Sequence, residues 1–289
     1  MNTPATDAGA PWAPGPAWLF CPADRPDRYP KALAAADVVL LDIEDAVAPN
    51  RKQAARQALR DLRRGGLLDD ARTVVRINSF GSPDHAADVV LAGELALPRL
   101  MLAKTESAAE PCGLAADVIV LLETPRGVEN AGEIAAAVNV IAVMWGADDL
   151  VAGLGGTSSR FPQGHYRDIA RFARSRALVA AKAHGRLAID AVHMDIGDVD
   201  GLAAECEDAV AVGFDATAAI HPGQVPVIRA AYAPSAEQID WARRLLTQVG
   251  DDRGVTTFEG RMVDGPIYAQ AERVLRLAAP AGSEPGGVA

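Results

Sequence analysis

Two stretches of the sequence, VIVLLE at residues 118–123 and VIAVMWGADD at residues 140–149, decide the fold. Each is a short, almost continuous apolar run that ends in an acidic residue, and each is too short for a buried helix. A strand that is buried on both faces needs continuous apolarity of this kind, and such strands occur in parallel sheets. The two stretches therefore predict neighbouring strands of a parallel sheet, each closed by a carboxylate.

Six further runs of the same kind extend this pattern over most of the chain. They are AWLFCPA (17–23), VVLLDIED (38–45), TVVRIN (73–78), LMLAK (100–104), AIDAVHMD (188–195) and ATAAIHP (216–222). Amphipathic stretches lie between the runs, and the clearest cover residues 51–64, 165–184 and 200–213. Strand and helix repeated eight times predict an α/β fold, the (β/α)8 TIM barrel. A doubly wound open sheet is the main alternative, although no GxGxxG follows the first strand.

The chain is longer than such a barrel requires. The predicted parts are a disordered lead-in at residues 1–16, the TIM barrel at 17–234, a C-terminal helical extension at 235–279 and a disordered tail at 280–289. Within the extension we expect an amphipathic helix at 236–249, the polar stretch VTTFEGRMVDGP and a short helix from about residue 267 to 278. Extra helices of this kind can cover a barrel end or reach a neighbouring subunit.

Composition argues against several classes of function. The 289 residues carry a net charge of −10 and are 49% hydrophobic, so the chain can bury a core but has no basic surplus for nucleic acid. No apolar run approaches the roughly 20 residues of a membrane helix. Three cysteines without CxxC spacing favour a reducing compartment. We therefore expect a cytoplasmic protein that binds neither nucleic acid nor membranes.

Polar groups close most of the predicted strands, and the active site of a parallel barrel lies at these carboxyl ends. The groups are Asp42, Glu44, Asp45, Arg76, Asn78, Lys104, Glu123, Asp148, Asp149, Asp195 and His221. Glu123 and Asp149 close adjacent strands with no His or Cys beside them, which favours a hard cation such as Mg²⁺. Arg76 could grip a substrate carboxylate with a two-point fork. A metal and an arginine acting on one small oxyacid would suit enolate chemistry.

Most of these residues also have a structural interpretation. The alternatives are helix capping or ion pairing for Glu123 and Asp149, capping of the second helix for Asp42 and Asp45, and pairing with Glu106 for Lys104. Glu44 could instead contact metal-bound water. The residues alone leave both interpretations open.

Seven motifs resemble those of a known family. They are WLFCPADRPDRYPKA, LLDIEDAVAP, VVRIN, LLETPRG, MWGADDL, AIHPGQ and GRMVDGP, in family order between residues 17 and 278. On these motifs the chain is identified as a member of the citrate lyase beta-subunit-like, or malyl-CoA lyase-like, branch of the HpcH/HpaI aldolase superfamily. It is most similar to the stand-alone actinobacterial proteins of that branch. The turn PADRP replaces the commoner Pro-Gly-Ser/Asn form, and DIED stands where DLED is usual.

The resemblance implies a TIM barrel, commonly a homotrimer, that uses Mg²⁺, with Mn²⁺ as a substitute, and a coenzyme A thioester. By position, Glu123 and Asp149 correspond to the metal ligands, and Arg76 corresponds to the residue that grips the keto-acid carboxylate. Glu44 and Asp45 would stand behind the metal ligands.

Two further assignments come from the resemblance. Asp264, in GRMVDGP, corresponds to an aspartate that family members insert into a neighbouring subunit's site as acid or base, which would explain the C-terminal extension. Arg25, Arg28 and Lys31 fall where the family holds coenzyme A phosphates, with a solvated loop as the alternative.

The expected reaction is cleavage or formation of a 3-hydroxyacyl-CoA thioester through an acyl-CoA enolate, giving an acyl-CoA and a keto acid. Malyl-, citramalyl-, citryl- and 3-hydroxy-3-methylglutaryl-CoA are the candidate substrates. Two other interpretations stay open. One is a metal-dependent aldolase that does not use coenzyme A, and the other is a citrate lyase subunit that acts on a carrier-bound substrate.

Overall fold

The structure, a computed structural model, describes residues 12–250 and 253–278. The predicted disordered tail lies outside these residues, and so does most of the predicted lead-in. Eight parallel strands close a barrel in sequence order: β1 (Ala17–Pro22), β2 (Val38–Asp42), β3 (Thr73–Ile77), β4 (Arg99–Leu102), β5 (Asp117–Leu122), β6 (Val140–Trp145), β7 (Leu187–Asp190) and β8 (Ala216–Ala219). The predicted TIM barrel is confirmed, and the open-sheet alternative is wrong.

Each of the eight predicted apolar runs overlaps one of these strands, and β4, β5 and β7 begin one residue before their runs. Strand β2 is buried at every position, as expected for a strand with packed side chains inside the barrel and helices outside it. Pairing of β8 with β1 closes the ring. Because all eight strands are parallel, their carboxyl ends meet at one rim, and the register places Asp42 of β2 opposite Arg76 of β3.

Helices follow the strands around the ring. They are α1 (Tyr29–Ala35), α2 (Lys52–Arg64), α3 (His85–Glu94), α4 (Ala109–Cys112), α5 (Pro125–Glu129), α6 (Ala131–Ala135), α7 (Ala147–Gly153), α8 (Asp168–Ala183), α9 (Val199–Val212) and α10 (Val225–Tyr232). The Asp198 carboxylate caps α9 by accepting the N–H of Gly201, and Gly213 ends it with a left-handed φ of 111°. No helix in the described ranges is long and apolar enough to cross a membrane.

The chain divides into two compact units. One is Pro14–Arg229, and the other combines the described residues before Pro14 with those from Ala230 onward. The second unit contains α11 (Ala236–Val249), an antiparallel hairpin of β9 (Thr256–Phe258) and β10 (Arg261–Val263), and α12 (Gly265–Ala278). Its own core includes Leu245, Phe258 and Tyr268.

Both helices expected in the C-terminal extension are present, but the stretch between them is more regular than predicted. It forms the β9–β10 hairpin, whose tight turn is Glu259 and Gly260, with φ values of 49° and 76°. Positive φ at both turn residues is what a two-residue hairpin loop of matching twist requires.

Candidate active site

The carboxyl ends of β2 and β3 carry a buried ion pair. Arg76 donates from Nε to Asp42 Oδ1 at 2.7 Å and from Nη2 to Asp42 Oδ2 at 2.5 Å. The guanidinium also lies over the Phe20 ring, 4.7 Å from its centroid. Burial by itself would lower the pKa of Arg76. The charge and the hydrogen bonds of Asp42 together outweigh this effect and raise that pKa, so Arg76 is permanently charged.

One interpretation of the sequence was that Asp42 caps the second helix, and that interpretation is wrong. The two carboxylate oxygens of Asp42 accept the backbone N–H groups of Glu44 and Ala46, at 2.8 and 2.9 Å. Asp42 thus shapes the turn that presents Glu44 and Asp45. Helix α2 begins at Lys52, after Arg51, with no side-chain cap, so Asp45 does not cap it either.

Lys104 lies just after β4, among the acidic residues of the rim. Its Nζ is 2.5 Å from Glu44 Oε1, 2.8 Å from Asp45 Oδ2 and 3.5 Å from Asp149 Oδ1. The alternative pairing of Lys104 with Glu106 is therefore wrong. The lysine instead lies between the turn after β2 and the start of α7, and its ammonium contacts carboxylates of both.

Glu123 follows β5 and is only 4% exposed. Its Oε1 accepts the backbone N–H of Lys104 at 3.1 Å. Burial, and after it the charge of Asp149, raise the pKa of Glu123 to about 8. Gly146 packs against this carboxylate, since a Cβ at residue 146 would lie 2.8 Å from Glu123 Oε2. Glycine in the MWGADD motif therefore allows the loop after β6 to approach Glu123.

Asp149 sits in the first turn of α7, with its side chain 43% exposed. Its neighbour Asp148 is engaged elsewhere, because it accepts a hydrogen bond from Ser159 Oγ at 2.6 Å. Of this acidic pair, Asp149 is the residue that faces Lys104 and raises the pKa of Glu123.

The cluster carries more negative than positive charge. It joins five carboxylates, Asp42, Glu44, Asp45, Glu123 and Asp149, to two cations, Arg76 and Lys104. Carboxylate oxygens without imidazole or thiolate suit Mg²⁺, which keeps several waters and needs only one or two protein carboxylates. No group of three or more His, Cys, Asp or Glu side chains in residues 12–250 and 253–278 is arranged to hold a metal.

The donor set passes a second check. Glu123 is a buried acid whose pKa is raised partly by the repulsion of Asp149, and a divalent cation between the two would relieve that repulsion. The residues present therefore fit a magnesium ion held by two carboxylates.

The three cations predicted to bind phosphate are exposed and lie after β1, at the same end of the barrel. Arg28 precedes α1 and Lys31 lies within it. Arg25 is paired with Asp27, whose carboxylate it contacts at 3.1 Å through both Nε and Nη2.

Asp264 belongs to the second unit. It follows β10 and is half-buried, and its carbonyl oxygen accepts the N–H groups of Ile267 and Tyr268 at the start of α12. Its action in a neighbouring subunit stays a prediction.

The roles of Asp42 and Lys104 could not be assigned from the sequence, although both were recognisable as charged strand ends. Asp42 lies 34 residues from Arg76, and Lys104 lies 60 residues from Glu44. Asp42 and Arg76 carry opposite charges at paired positions of the adjacent strands β2 and β3. That pairing can be recognised only when the strand register is known.

A closed parallel barrel with an acid-rich rim and a buried arginine has the fold and the charged groups of a metal-assisted barrel enzyme. Within that class, the chain belongs to the HpcH/HpaI aldolase/citrate lyase family, which matches residues 17–222.

Several relatives resemble the chain over almost its whole length. It is 56% identical over 273 residues to the citrate lyase subunit beta-like protein of Mycobacterium tuberculosis, covering 94% of this chain and 98% of that one. It is 31% identical over 304 residues to the mitochondrial citramalyl-CoA lyase of Rattus norvegicus, with 92% and 87% covered. Its fold matches the crystal structure of CitE from Mycobacterium tuberculosis in complex with magnesium, acetoacetate and coenzyme A, with a TM-score of 0.87, 56% identity, and 92% and 98% covered. The chain is accordingly an enzyme of a lyase family.

Proposed function

We propose that the protein is a Mg²⁺-dependent carbon–carbon lyase that cleaves or forms a 3-hydroxyacyl-CoA thioester. The observation that carries this proposal is the acid-rich cluster of Glu123, Asp149, Lys104 and Arg76 at the carboxyl end of the barrel. The family supports it, because a protein 56% identical to this one has been crystallised with magnesium, acetoacetate and coenzyme A.

Glu123 and Asp149 would hold the metal, with Mn²⁺ as a substitute for Mg²⁺. When bound, the ion polarises a carbonyl oxygen and stabilises the negative charge that develops on it. Glu44 and Asp45 would stand behind these ligands, tied to Asp149 through the Lys104 ammonium.

Arg76 would bind the keto-acid carboxylate. Asp42 occupies Nε and Nη2, so the guanidinium plane is fixed before substrate arrives. A guanidinium has five N–H donors, of which Asp42 takes two. Nη1 also lies 3.3 Å from Glu44 Oε2, so a substrate carboxylate would take the remaining N–H groups beside Glu44. Such preorganisation reduces the ordering that binding would otherwise require.

In the cleavage direction, a general base takes the proton of the 3-hydroxyl group and the C2–C3 bond breaks. The bonding electron pair stays on C2 as an acyl-CoA enolate, while C3 becomes the carbonyl carbon of the keto acid. Asp264 of the partner subunit, in a homotrimer, would then protonate C2. In condensation the same carboxylate would remove that proton. Arg25, Arg28 and Lys31 would hold the coenzyme A phosphates.

The variant Asp264→Asn tests the acid–base assignment. It should lower kcat by about 100-fold or more, because an amide cannot exchange a proton at carbon. Metal affinity should stay close to the wild-type value, because Asp264 is not a proposed ligand. Loss of metal binding in this variant would refute the acid–base role of Asp264.

Analytical ultracentrifugation, which measures the mass of the assembly in solution, tests the proposed homotrimer.

The reaction itself is tested with malyl-, citramalyl-, citryl- and 3-hydroxy-3-methylglutaryl-CoA, by following acyl-CoA release in Mg²⁺ with and without EDTA. EDTA-sensitive cleavage of any of the four would support the proposal and identify the substrate branch. Inactivity on all four, with metal bound, would favour the aldolase without coenzyme A or the subunit that takes a carrier-bound substrate.

A cytoplasmic location, based on the free thiols of Cys21, Cys112 and Cys206, is part of the same proposal.

A further inference from the structure

Lys104 contacts both proposed metal ligands, one through its side chain and one through its backbone. Its ammonium lies 3.5 Å from Asp149 Oδ1, and its N–H donates to Glu123 Oε1 at 3.1 Å. The ammonium has three donors, and the other two face Glu44 and Asp45 at 2.5 and 2.8 Å.

The backbone of Lys104 is in the left-handed region, with a φ of 51°. That conformation is unfavourable for a residue with a Cβ, and glycine or asparagine adopts it more readily. A lysine at this position therefore carries a backbone cost. The side chain is only 28% exposed and its ammonium contacts the acidic cluster, which indicates that these contacts offset the cost.

The three contacts of the ammonium are unequal, and the inequality bears on metal binding. Glu44 and Asp45 hold it at hydrogen-bonding distance, whereas Asp149 is the most distant of the three carboxylates. A metal ion that approaches Asp149 can therefore replace its contact with Lys104 while the lysine stays anchored to Glu44 and Asp45.

We infer that Lys104 is a resident counter-cation of the metal site, which lowers the affinity for the metal and holds the acidic cluster together when no metal is bound. The inference rests on the proposed function, because it takes Glu123 and Asp149 as ligands. Five carboxylates face two cations in this cluster, so removing Lys104 leaves a single cation, Arg76. A divalent ion should bind such a site more tightly, because one positive charge no longer repels it.

This role predicts a change of opposite sign from that of a ligand or a supporting residue. Removing a ligand weakens metal binding, and so does removing a side chain that merely positions a ligand. Removing a competing cation strengthens binding and at the same time destabilises the metal-free protein, because the remaining carboxylates repel one another.

The experiment titrates the full-length, metal-free protein with Mn²⁺ alone and follows the free ion by EPR. Lys104→Met keeps the side-chain length and removes the charge, and we expect Mn²⁺ to bind on the order of tenfold more tightly. Lys104→Arg keeps the charge and should bind Mn²⁺ within about twofold of the wild-type value. Lys104→Gly removes charge and backbone strain together, so it should also bind more tightly even if Lys104→Met folds poorly.

Lys182→Met is the matched control, because it removes a lysine that pairs with Asp215 near the start of β7, away from the rim. It should leave Mn²⁺ affinity unchanged. Thermal melting adds a second readout: Lys104→Met should melt below the wild type without metal, and the gap should narrow at saturating Mn²⁺.

Unchanged or weaker Mn²⁺ binding in both Lys104→Met and Lys104→Gly would overturn the inference while leaving the proposed function standing. Failure of the proposed function looks different. In that case the wild type and Glu123→Gln would bind Mn²⁺ equally or not at all, and the inference would fail with it.

Discussion

Two glutamates of the barrel unit, the buried Glu123 and the half-buried Glu205, differ in what surrounds them. Glu205, on α9, accepts hydrogen bonds from Arg160 and from His193 Nδ1, the latter at 2.9 Å. Burial alone would raise its pKa, but the hydrogen bonds from His193 and Arg160 hold the pKa of Glu205 below its usual range. Glu123 receives one backbone N–H, and burial raises its pKa to about 8. An acid whose charge is balanced by hydrogen bonds from cations stabilises a fold, whereas a buried acid with a raised pKa is typical of a functional site.

The same contrast separates a cleft from the candidate site. A cleft of about 600 Å³ lies beside Glu205 and Asp190, and its volume alone would be typical of a ligand pocket. Asp190, however, accepts hydrogen bonds from Arg174 and, at 2.6 Å, from Trp145 Nε1. The acids beside this cleft therefore already have partners, which distinguishes them from the acids of the proposed site at the rim.

The largest effect is expected for Glu123→Gln. Turnover should fall by about 1,000-fold or more and Mn²⁺ binding should be lost, because one of two metal carboxylates is gone. The metal-free variant should be at least as stable as the wild type, because a buried carboxylate without a cationic hydrogen-bond partner becomes neutral. Steady-state kinetics and thermal melting measure the two effects. Full activity in this variant would remove Glu123 from the site.

A smaller loss is expected for Gly146→Ala. The new Cβ would lie 2.8 Å from Glu123 Oε2 and 2.9 Å from Glu123 Cβ, so the carboxylate must shift. Overpacking of this kind costs about 1–3 kcal/mol, which would weaken Mn²⁺ binding by roughly tenfold or more. Gly132→Ala in α6 is the control, since nothing lies within 4 Å of the added methyl group. Equal Mn²⁺ affinity in both variants would show that Glu123 is not held against residue 146.

Glu205→Gln should have the opposite profile to Glu123→Gln. Loss of the charged hydrogen bonds from Arg160 and His193 should lower the free energy of unfolding by about 1–2 kcal/mol. Turnover at a permissive temperature should stay within about twofold of the wild-type value, because Glu205 lies outside the proposed site. Urea unfolding and the thioester assay check the two statements. A loss of turnover as deep as that of Glu123→Gln would abolish the distinction between the two glutamates.

The smallest effect is a pH dependence centred on His193. The hydrogen bond that His193 donates to the Glu205 carboxylate raises the pKa of His193 in the folded protein. Its stabilising contribution is therefore complete below the unfolded-state pKa of about 6.5 and is lost as the pH rises through the folded-state pKa. Urea unfolding of the wild type and His193→Gln between pH 5.5 and 8.5 should show a difference, at most about 1 kcal/mol, that shrinks as the pH rises. A difference independent of pH would contradict the pairing.

The barrel could be predicted because a parallel strand with two buried faces is almost continuously apolar, and all eight runs show that pattern. Helix α11 matches its prediction at both ends, since Ser235 and Gln238 form a capping box and Gly250 follows its last residue. The β9–β10 hairpin was missed because its strands are three residues each and mostly exposed, so they show no apolar run.

The site was predictable where adjacent strand ends alone bring residues together. Glu123 and Asp149 close neighbouring strands β5 and β6, and that order is enough to place them on one part of the rim. The grip of Asp42 on Arg76 and the position of Lys104 depend on strand register and on a left-handed backbone at residue 104. Composition and periodicity carry no information about either.

The central claim is that the carboxylates of Glu123 and Asp149 hold the metal. Crystals of the protein grown with Mn²⁺ and measured near the manganese absorption edge test it most directly. The account predicts an anomalous peak bonded to an oxygen of each carboxylate, at roughly the 2.0–2.2 Å of a hard divalent ion. A peak at another group of residues, with none between Glu123 and Asp149, would contradict it.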